Sequence, residues 1–255
     1  MSGPIIIKGQ MLDSNKPMIC IPVLDADKEQ ILRRVKNLIR EDVSMIEWRV
    51  DYFEGSYDAV QIKEVLESLR DLMYHTILIV TIRTVAQGGR QTSSPEQMAY
   101  LLEEISKAHV ADLIDVEFFT YEHPTHLIQK LQMNGALIIS SHHDFEETPA
   151  MDVMKMILEK MLDGDADLVK LAVMPQEITD VLDLLKITAD FHKEHPVVPL
   201  ITMSLGKLGM ISRISGEAFG SCVTFGAVEQ TSAPGQVPRE QLQKVLDFMH
   251  EYYVE

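Results

Sequence analysis

Residues 45–51 read Met-Ile-Glu-Trp-Arg-Val-Asp, and their alternation decides the fold. In an extended strand successive side chains point to opposite faces. Ile46, Trp48 and Val50 therefore share one face, and Glu47, Arg49 and Asp51 share the other. An apolar face backing a charged one predicts a strand that packs under helices on one side and surrounds something polar on the other. Three more runs repeat the pattern. Leu78, Val80 and Ile82 oppose Thr81 and Arg83; Ile114, Val116 and Phe118 oppose Asp115 and Glu117; Val169, Leu171 and Val173 oppose Lys170, Ala172 and Met174.

Working outward, eight strand-type runs occupy 18–24, 45–51, 76–83, 113–118, 136–143, 167–174, 199–205 and 222–227. Helical stripes lie between them, at Ile31/Val35/Leu38/Ile39, Ile62/Val65/Leu66/Leu69, Met98/Leu101/Leu102/Ile105, Ile178/Val181/Leu182/Leu185 and Leu242/Val245/Leu246/Met249. Ser94-Pro95-Glu96-Gln97 marks a helix start with a capping serine and a first-turn proline, and Thr148-Pro149 predicts another start of the same kind. The connection 206–220 is irregular. Strict βα alternation predicts a parallel sheet with right-handed crossovers, and eight strands in 255 residues without a linker predict a single (β/α)8 TIM barrel spanning 1–255. The competing arrangement is an open doubly wound sheet. Leu24-Asp25-Ala26-Asp27 after the first strand lacks the Gly-rich dinucleotide fingerprint that such a sheet often carries.

Composition narrows the function classes. Hydrophobic residues make up 46% of the chain, too many for a disordered segment, and 13 Gly with 11 Pro are too few for a low-complexity one. With 23 Lys+Arg against 39 Asp+Glu the formal charge is −16, which argues against general affinity for nucleic acid or anionic membrane. Cys20 and Cys222 are too few for a disulfide framework. Residues 1–8 lack the basic and apolar regions of a signal peptide, and no apolar run reaches membrane-spanning length, so a soluble cytoplasmic protein is expected.

Barrel interiors are usually filled by branched apolar side chains, so this many inward ionisable groups predicts a site at the C-terminal mouth. Lys170 is the sharpest signal. An unpaired ammonium among apolar neighbours is costly, and a neutral amine is a nucleophile toward carbonyls. The competing role is a structural ion pair with Glu47, Asp115 or Glu117. Ser140-Ser141-His142-His143-Asp144 ends the fifth run, where either histidine suits acid–base work and parity does not choose between them. Arg49, Arg83 and Arg213 converge on the same mouth, where arginine forks suit a carboxylate. Ser232-Ala233-Pro234-Gly235-Gln236 has lid-like composition, and Gly206 with Gly209 offer a possible phosphate cradle. A divalent metal bound by strand-end His, Asp and Glu is a further reading, but no H-E-x-x-H or C-x-x-C spacing is present.

These residues fall into motifs that resemble one family. E-W-R-V-D (47–51), T-I-R-T (81–84) before Gly88-Gly89, S-H-H-D-F (141–145), V-K-L-A-V-M-P (169–175), T-M-S-L-G (202–206), S-R-I-S-G (212–216), T-F-G (224–226) and S-A-P-G-Q (232–236) together resemble type I 3-dehydroquinate dehydratase, in order and through nearly the whole chain. The resemblance implies a homodimeric (β/α)8 hydro-lyase of the shikimate pathway that converts 3-dehydroquinate to 3-dehydroshikimate without metal or cofactor. It implies an imine between Lys170 and the C3 ketone, with His143 removing a C2 proton and protonating the departing C1 hydroxyl. It implies Arg213 on the substrate carboxylate, with Glu47, Arg49, Arg83, Ser232 and Gln236 contacting hydroxyls or ordering the pocket. One position departs: Gln87 stands before the Gly-Gly pair where the family has Glu beside the catalytic histidine. An amide orients an imidazole but brings no negative charge to an imidazolium. Two other functions compete: a class I aldolase using Lys170 on a phosphorylated keto substrate, and a non-catalytic binding homologue suggested by Gln87.

Overall fold

A computed structural model describes residues 5–228 and 231–253; the start of the N-terminal stretch, residues 1–4, lies outside the described residues. The chain opens with a hairpin of β1 (Ile5–Ile7) and β2 (Gln10–Leu12), which the sequence patterns did not predict. Its two-residue turn, Lys8-Gly9, has positive φ at both positions, 51° and 79°, as a turn matched to strand twist requires. Then come β3 (Met18–Val23), α1 (Lys28–Arg40), β4 (Met45–Arg49), α2 (Ala59–Arg70), β5 (Ile77–Thr81), α3 (Pro95–Lys107), β6 (Leu113–Glu117) and α4 (Pro124–Met133). They are followed by β7 (Leu137–Asp144), α5 (Met151–Asp163), β8 (Leu168–Val173), α6 (Ile178–Glu194), β9 (Leu200–Ser204), α7 (Met210–Ile214), α8 (Gly216–Phe219), β10 (Val223–Ala227), β11 (Val237–Pro238) and α9 (Arg239–Tyr253). All eight strand runs of the sequence are strands, and α7 with α8 fill the irregular seventh connection.

Strands β3 to β9 pair in parallel in chain order and β10 returns beside β3. The ring closes where Leu200 bridges Ser221 and Cys222 N–H donates to Leu200 O at 2.8 Å. That closure makes a TIM barrel and excludes the open sheet.

The two predicted faces become two separate apolar layers. Ile46, Trp48, Val50, Leu78, Val80, Ile114, Val116, Val169, Leu171 and Val173 pack outward against helix residues such as Val35, Leu66, Leu102 and Leu158. Burying each such side chain contributes roughly 1.5–3 kcal/mol. Cys20, Met45, Ile77, Ile79, Leu113, Ile139, Leu168 and Val223 point inward, and Ile7 and Leu12 of the hairpin join them as a plug in the barrel floor. Lys8 Nζ fastens the hairpin there, donating to Thr76 O at 2.8 Å and Asp112 Oδ2 at 2.6 Å.

Three helical expectations need correction: on α9 only Leu242 and Leu246 of the expected stripe are buried, and Val245 is exposed. On α6 the buried stripe is Val181, Leu184, Leu185, Ile187, Thr188 and Phe191, whereas Ile178 and Leu182 are exposed. The helix is rolled so that its later turns set the inward face. Ser94 does cap α3, accepting from Gln97 N–H at 3.3 Å, but Thr148 caps nothing and α5 starts at Met151. Glu147 is held along the sheet instead, its carbonyl accepting from Met174 N–H at 3.1 Å, and Asp144 Oδ1 accepts from the N–H groups of Glu146 and Glu147. The chain stays extended past Pro149.

Candidate active site

The C-terminal ends of β4 to β8 deliver the inward polar set to one place. Arg49 forks onto Asp51 with two 2.8 Å bonds and lies over the Tyr52 ring at 5.2 Å. Arg83 contacts Asp115 at 2.8 Å and Glu117 at 3.1 Å, and donates to Ser141 Oγ at 3.0 Å. Ser141 in turn donates to Asp115 Oδ1 at 2.6 Å. Glu117 further accepts from Thr84 N–H, Thr84 Oγ1 and Thr120 Oγ1, so its oxygens are fully engaged. The neighbouring carboxylates raise the guanidinium pKa of Arg83 and of Arg49 above the ordinary value, winning over the opposing effect of burial. Four carboxylates, Glu47, Asp51, Asp115 and Glu117, face three cations, Arg49, Arg83 and Lys170. The strand ends thus form a compensated lattice, not the net cationic cluster that three arginines and a lysine suggest.

Lys170 is buried, and the premise of an unpaired ammonium does not hold. Its Nζ donates to Asp115 Oδ2 at 3.1 Å and to Glu47 Oε1 at 3.4 Å, and sits 4.7 Å from the Phe225 ring centroid. Glu47 Oε1 also accepts from Thr81 Oγ1 at 2.9 Å.

Of the two histidines, His143 faces inward because it continues the set of Ile139 and Ser141 on β7. His142 points outward, edge-on to Phe119 at 5.3 Å. Gln87 Oε1 accepts from His143 N–H at 2.9 Å and lies 3.3 Å from His143 Nδ1. A backbone N–H only donates, so the amide oxygen must be the atom facing it. Nδ1 then carries its proton toward the same oxygen, which leaves the lone pair on Nε2. Burial holds the imidazole pKa well below its ordinary value, and the charges of Arg83, Lys170 and Arg49 push the same way. His143 is accordingly a neutral base. The Gly88-Gly89 pair makes this packing possible: a Cβ on Gly88 would lie 2.3 Å from the Phe145 ring, and one on Gly89 2.1 Å from Arg83 O. The rings of Phe145 and His143 lie nearly parallel, 6.5 Å apart.

A pocket opens above this lattice, lined by Glu47, Arg49, Arg83, His143 and Lys170 from the strand ends, by Gln87 from the turn after β5, and by Ser232, Ala233 and Gln236 from the loop after β10. Ser232 and Gln236 close on each other: Gln236 Oε1 accepts from Ser232 N–H at 2.9 Å and Gln236 Nε2 donates to Ser232 Oγ at 2.8 Å. Arg213 is the one predicted site residue outside the lining. It is buried behind Met203, with Nη1 4.0 Å from the Met203 sulfur, Nη2 donating to Pro234 O at 3.0 Å, and Nε without a partner. Among the described residues no carboxylate pairs with it, and burial pushes its pKa down to about 10. Among those residues it is the uncompensated cation of the region.

Parity reading was applied to four strands, so it missed Met203 and Leu205 on the seventh and Phe225 on the eighth, which form the apolar wall. The same alternation on 201–205 and 223–225 carries their signal. The glycine cradle is used otherwise. Gly206 N–H donates to Pro234 O at 3.1 Å, and Gly209 is packed where a Cβ would lie 2.1 Å from Ser204 O. This removes the feature that favoured a phosphorylated substrate. Glu159, Glu194 and His195 lie close enough to share a cation, but on α5 and the end of α6, and Glu194 already pairs with Lys155 at 2.6 Å.

Known proteins are similar to this chain in sequence and in fold. The family model described as Type I 3-dehydroquinase matches residues 19–253. The 3-dehydroquinate dehydratase of Clostridioides difficile is 38% identical over 251 residues, covering 98% of both chains. The Bacillus subtilis enzyme of the same name is 36% identical, with 96% of this chain and 97% of that one covered. Among solved structures, 3-dehydroquinate dehydratase from Geobacillus kaustophilus superimposes with a TM-score of 0.93 at 31% identity, over 98% of this chain and 97% of that one. The Clostridium difficile type I enzyme, solved with covalently modified comenic acid, gives 0.93 at 37% identity over 98% and 99%. Matched along nearly its whole length in sequence and in fold, the chain belongs to the type I 3-dehydroquinase family and is a hydro-lyase.

Proposed function

We propose that the chain dehydrates 3-dehydroquinate through an imine on Lys170, with His143 as general acid and base. The observation that carries this is the lining of one pocket by both side chains, with Nε2 of His143 bearing the lone pair. Lys170 ammonium and the C3 ketone give an iminium and one water, so the positive charge at Nζ is the same before and after. The iminium draws electrons from the adjacent C2–H bond. Nε2 of His143 takes that proton to leave an enamine, then returns it to the C1 hydroxyl, which departs as water. Hydrolysis of the product iminium restores the lysine.

The remaining residues divide by what already holds them. Arg213, with no anion of its own among the described residues, is the natural partner of the substrate carboxylate. Glu47, Arg49 and Arg83 present edges of the compensated lattice to the hydroxyls, and Ser232 and Gln236 do so from the loop. Gln87 positions His143 and fixes its tautomer. The C. difficile relative was solved with covalently modified comenic acid, which is in keeping with covalent chemistry in that protein.

Borohydride reduction with 3-dehydroquinate present, followed by peptide mass mapping, tests the reading. A reduced adduct on Lys170 is expected; turnover without any trapped adduct overturns it. The homodimer and cytoplasmic placement belong to the same proposal. Among the described residues no helix is long and apolar enough to cross a membrane. Sedimentation velocity tests the dimer, and a monomer at micromolar concentration overturns it.

A further inference from the structure

Asp115 has no place in the mechanism above, yet both of its oxygens are engaged by groups of the site. It is buried under the pocket and does not line it. Its two oxygens have different duties. Oδ1 is taken by Ser141 Oγ at 2.6 Å and Arg83 Nη2 at 2.8 Å. Among the described residues Oδ2 has a single partner, Lys170 Nζ at 3.1 Å. Glu47, the other carboxylate on Nζ, stands 3.4 Å away through an oxygen it shares with Thr81, and it lines the pocket where substrate arrives.

We propose that Asp115 is the charge-stabilising residue of the reaction, its Oδ2 accepting the N–H of the iminium at Nζ and keeping the imine protonated, so that its nitrogen can receive the electron pair of the breaking C–H bond. The inference rests on the imine reading above. An iminium keeps one N–H, and a fixed, water-excluded carboxylate 3.1 Å from the nitrogen stabilises its charge without reorganising. Arg83 and Ser141 keep Asp115 anionic and aimed: burial opposes ionisation, but Arg83 and Lys170 hold its carboxyl below the ordinary range. The other titratable groups near Nζ are Glu47 on β4, Cys20 on β3 and His143 on β7, and the guanidiniums of Arg49 and Arg83 line the same pocket. Both arginines stay charged, and burial pushes the Cys20 thiol well up, with Glu47 adding to it, so neither thiol nor guanidinium mimics loss of Asp115.

The test is cyanoborohydride trapping of 3-dehydroquinate on Lys170 as a function of pH, in wild type and in Asp115→Asn, with cooperative unfolding checked for both. Cyanoborohydride reduces the protonated imine, so the pH at which trapping falls reports how firmly Nζ is kept positive. Removing an anion in contact should lower that pH by about one unit or more, and kcat should fall about tenfold or more while KM changes little. Asp115→Ser gives the same comparison if the Asn variant does not fold. An unmoved trapping curve in a folded variant that still forms the adduct overturns the role of Asp115 and leaves the imine reading intact. Absence of any adduct in wild type overturns both.

Discussion

On one face of the same strands, two residues separate the floor of the barrel from its chemistry. Met45 precedes Glu47, Ile79 precedes Thr81, Leu113 precedes Asp115, Ile139 precedes Ser141 and Leu168 precedes Lys170; the first of each pair belongs to the inner apolar layer, the second to the polar lattice. The floor is plugged by Ile7 and Leu12 and needs only volume and shape. At the mouth every charge needs a partner, because an uncompensated ion this deep is costly. Among the described residues the exception is Arg213, which makes it the place to look for a ligand's charge.

This division gives predictions of decreasing size. Lys170→Met should lower kcat by about 10⁴-fold or more while the protein still unfolds cooperatively; near-normal turnover measured on the folded variant would erase the distinction between mouth and floor. Leu168→Ala, two residues earlier on β8, should cost roughly 2–5 kcal/mol of stability by denaturant titration and leave kcat and KM within about twofold. A large kcat loss there at unchanged stability would mean the floor takes part in the chemistry. Gln87→Glu sharpens the mouth alone. A carboxylate against Nδ1 favours imidazolium, opposing the burial and the Arg83, Lys170 and Arg49 charges that lower the His143 pKa. The step in the pH–rate profile set by His143 should therefore move to higher pH by about one unit. Coincident profiles for the two variants would remove Gln87 from its positioning role.

Much of this was legible because strand parity is local. The alternation at 45–51 assigned Glu47 and Arg49 to the interior, and the same rule did so for Arg83, Asp115, Glu117 and Lys170. Helix faces were harder. Ile178 and Leu182 fit the stripe spacing of α6, but which arc of that helix meets the sheet depends on its roll against its neighbours, and both residues ended in solvent. The two adjacent histidines could not be separated from composition; the inward continuity of Ile139 and Ser141 and the Gln87 oxygen select His143. The hairpin was missed because its two strands of three residues are too short for a periodicity to register.

By itself the sequence determined the barrel, which polar side chains face its interior, and the motifs of the family, since period-two alternation and βα order are properties of neighbouring residues. Only the tertiary structure decided who pairs with whom. Asp115 and Lys170 are 55 residues apart in the chain and 3.1 Å apart in space, and Arg83 finds Asp115 and Glu117 across strands. Partnership among buried charges is set by closure of the ring, and that closure turned an apparent surplus of inward cations into a lattice of four carboxylates and three cations, with one arginine left without an anion among the described residues.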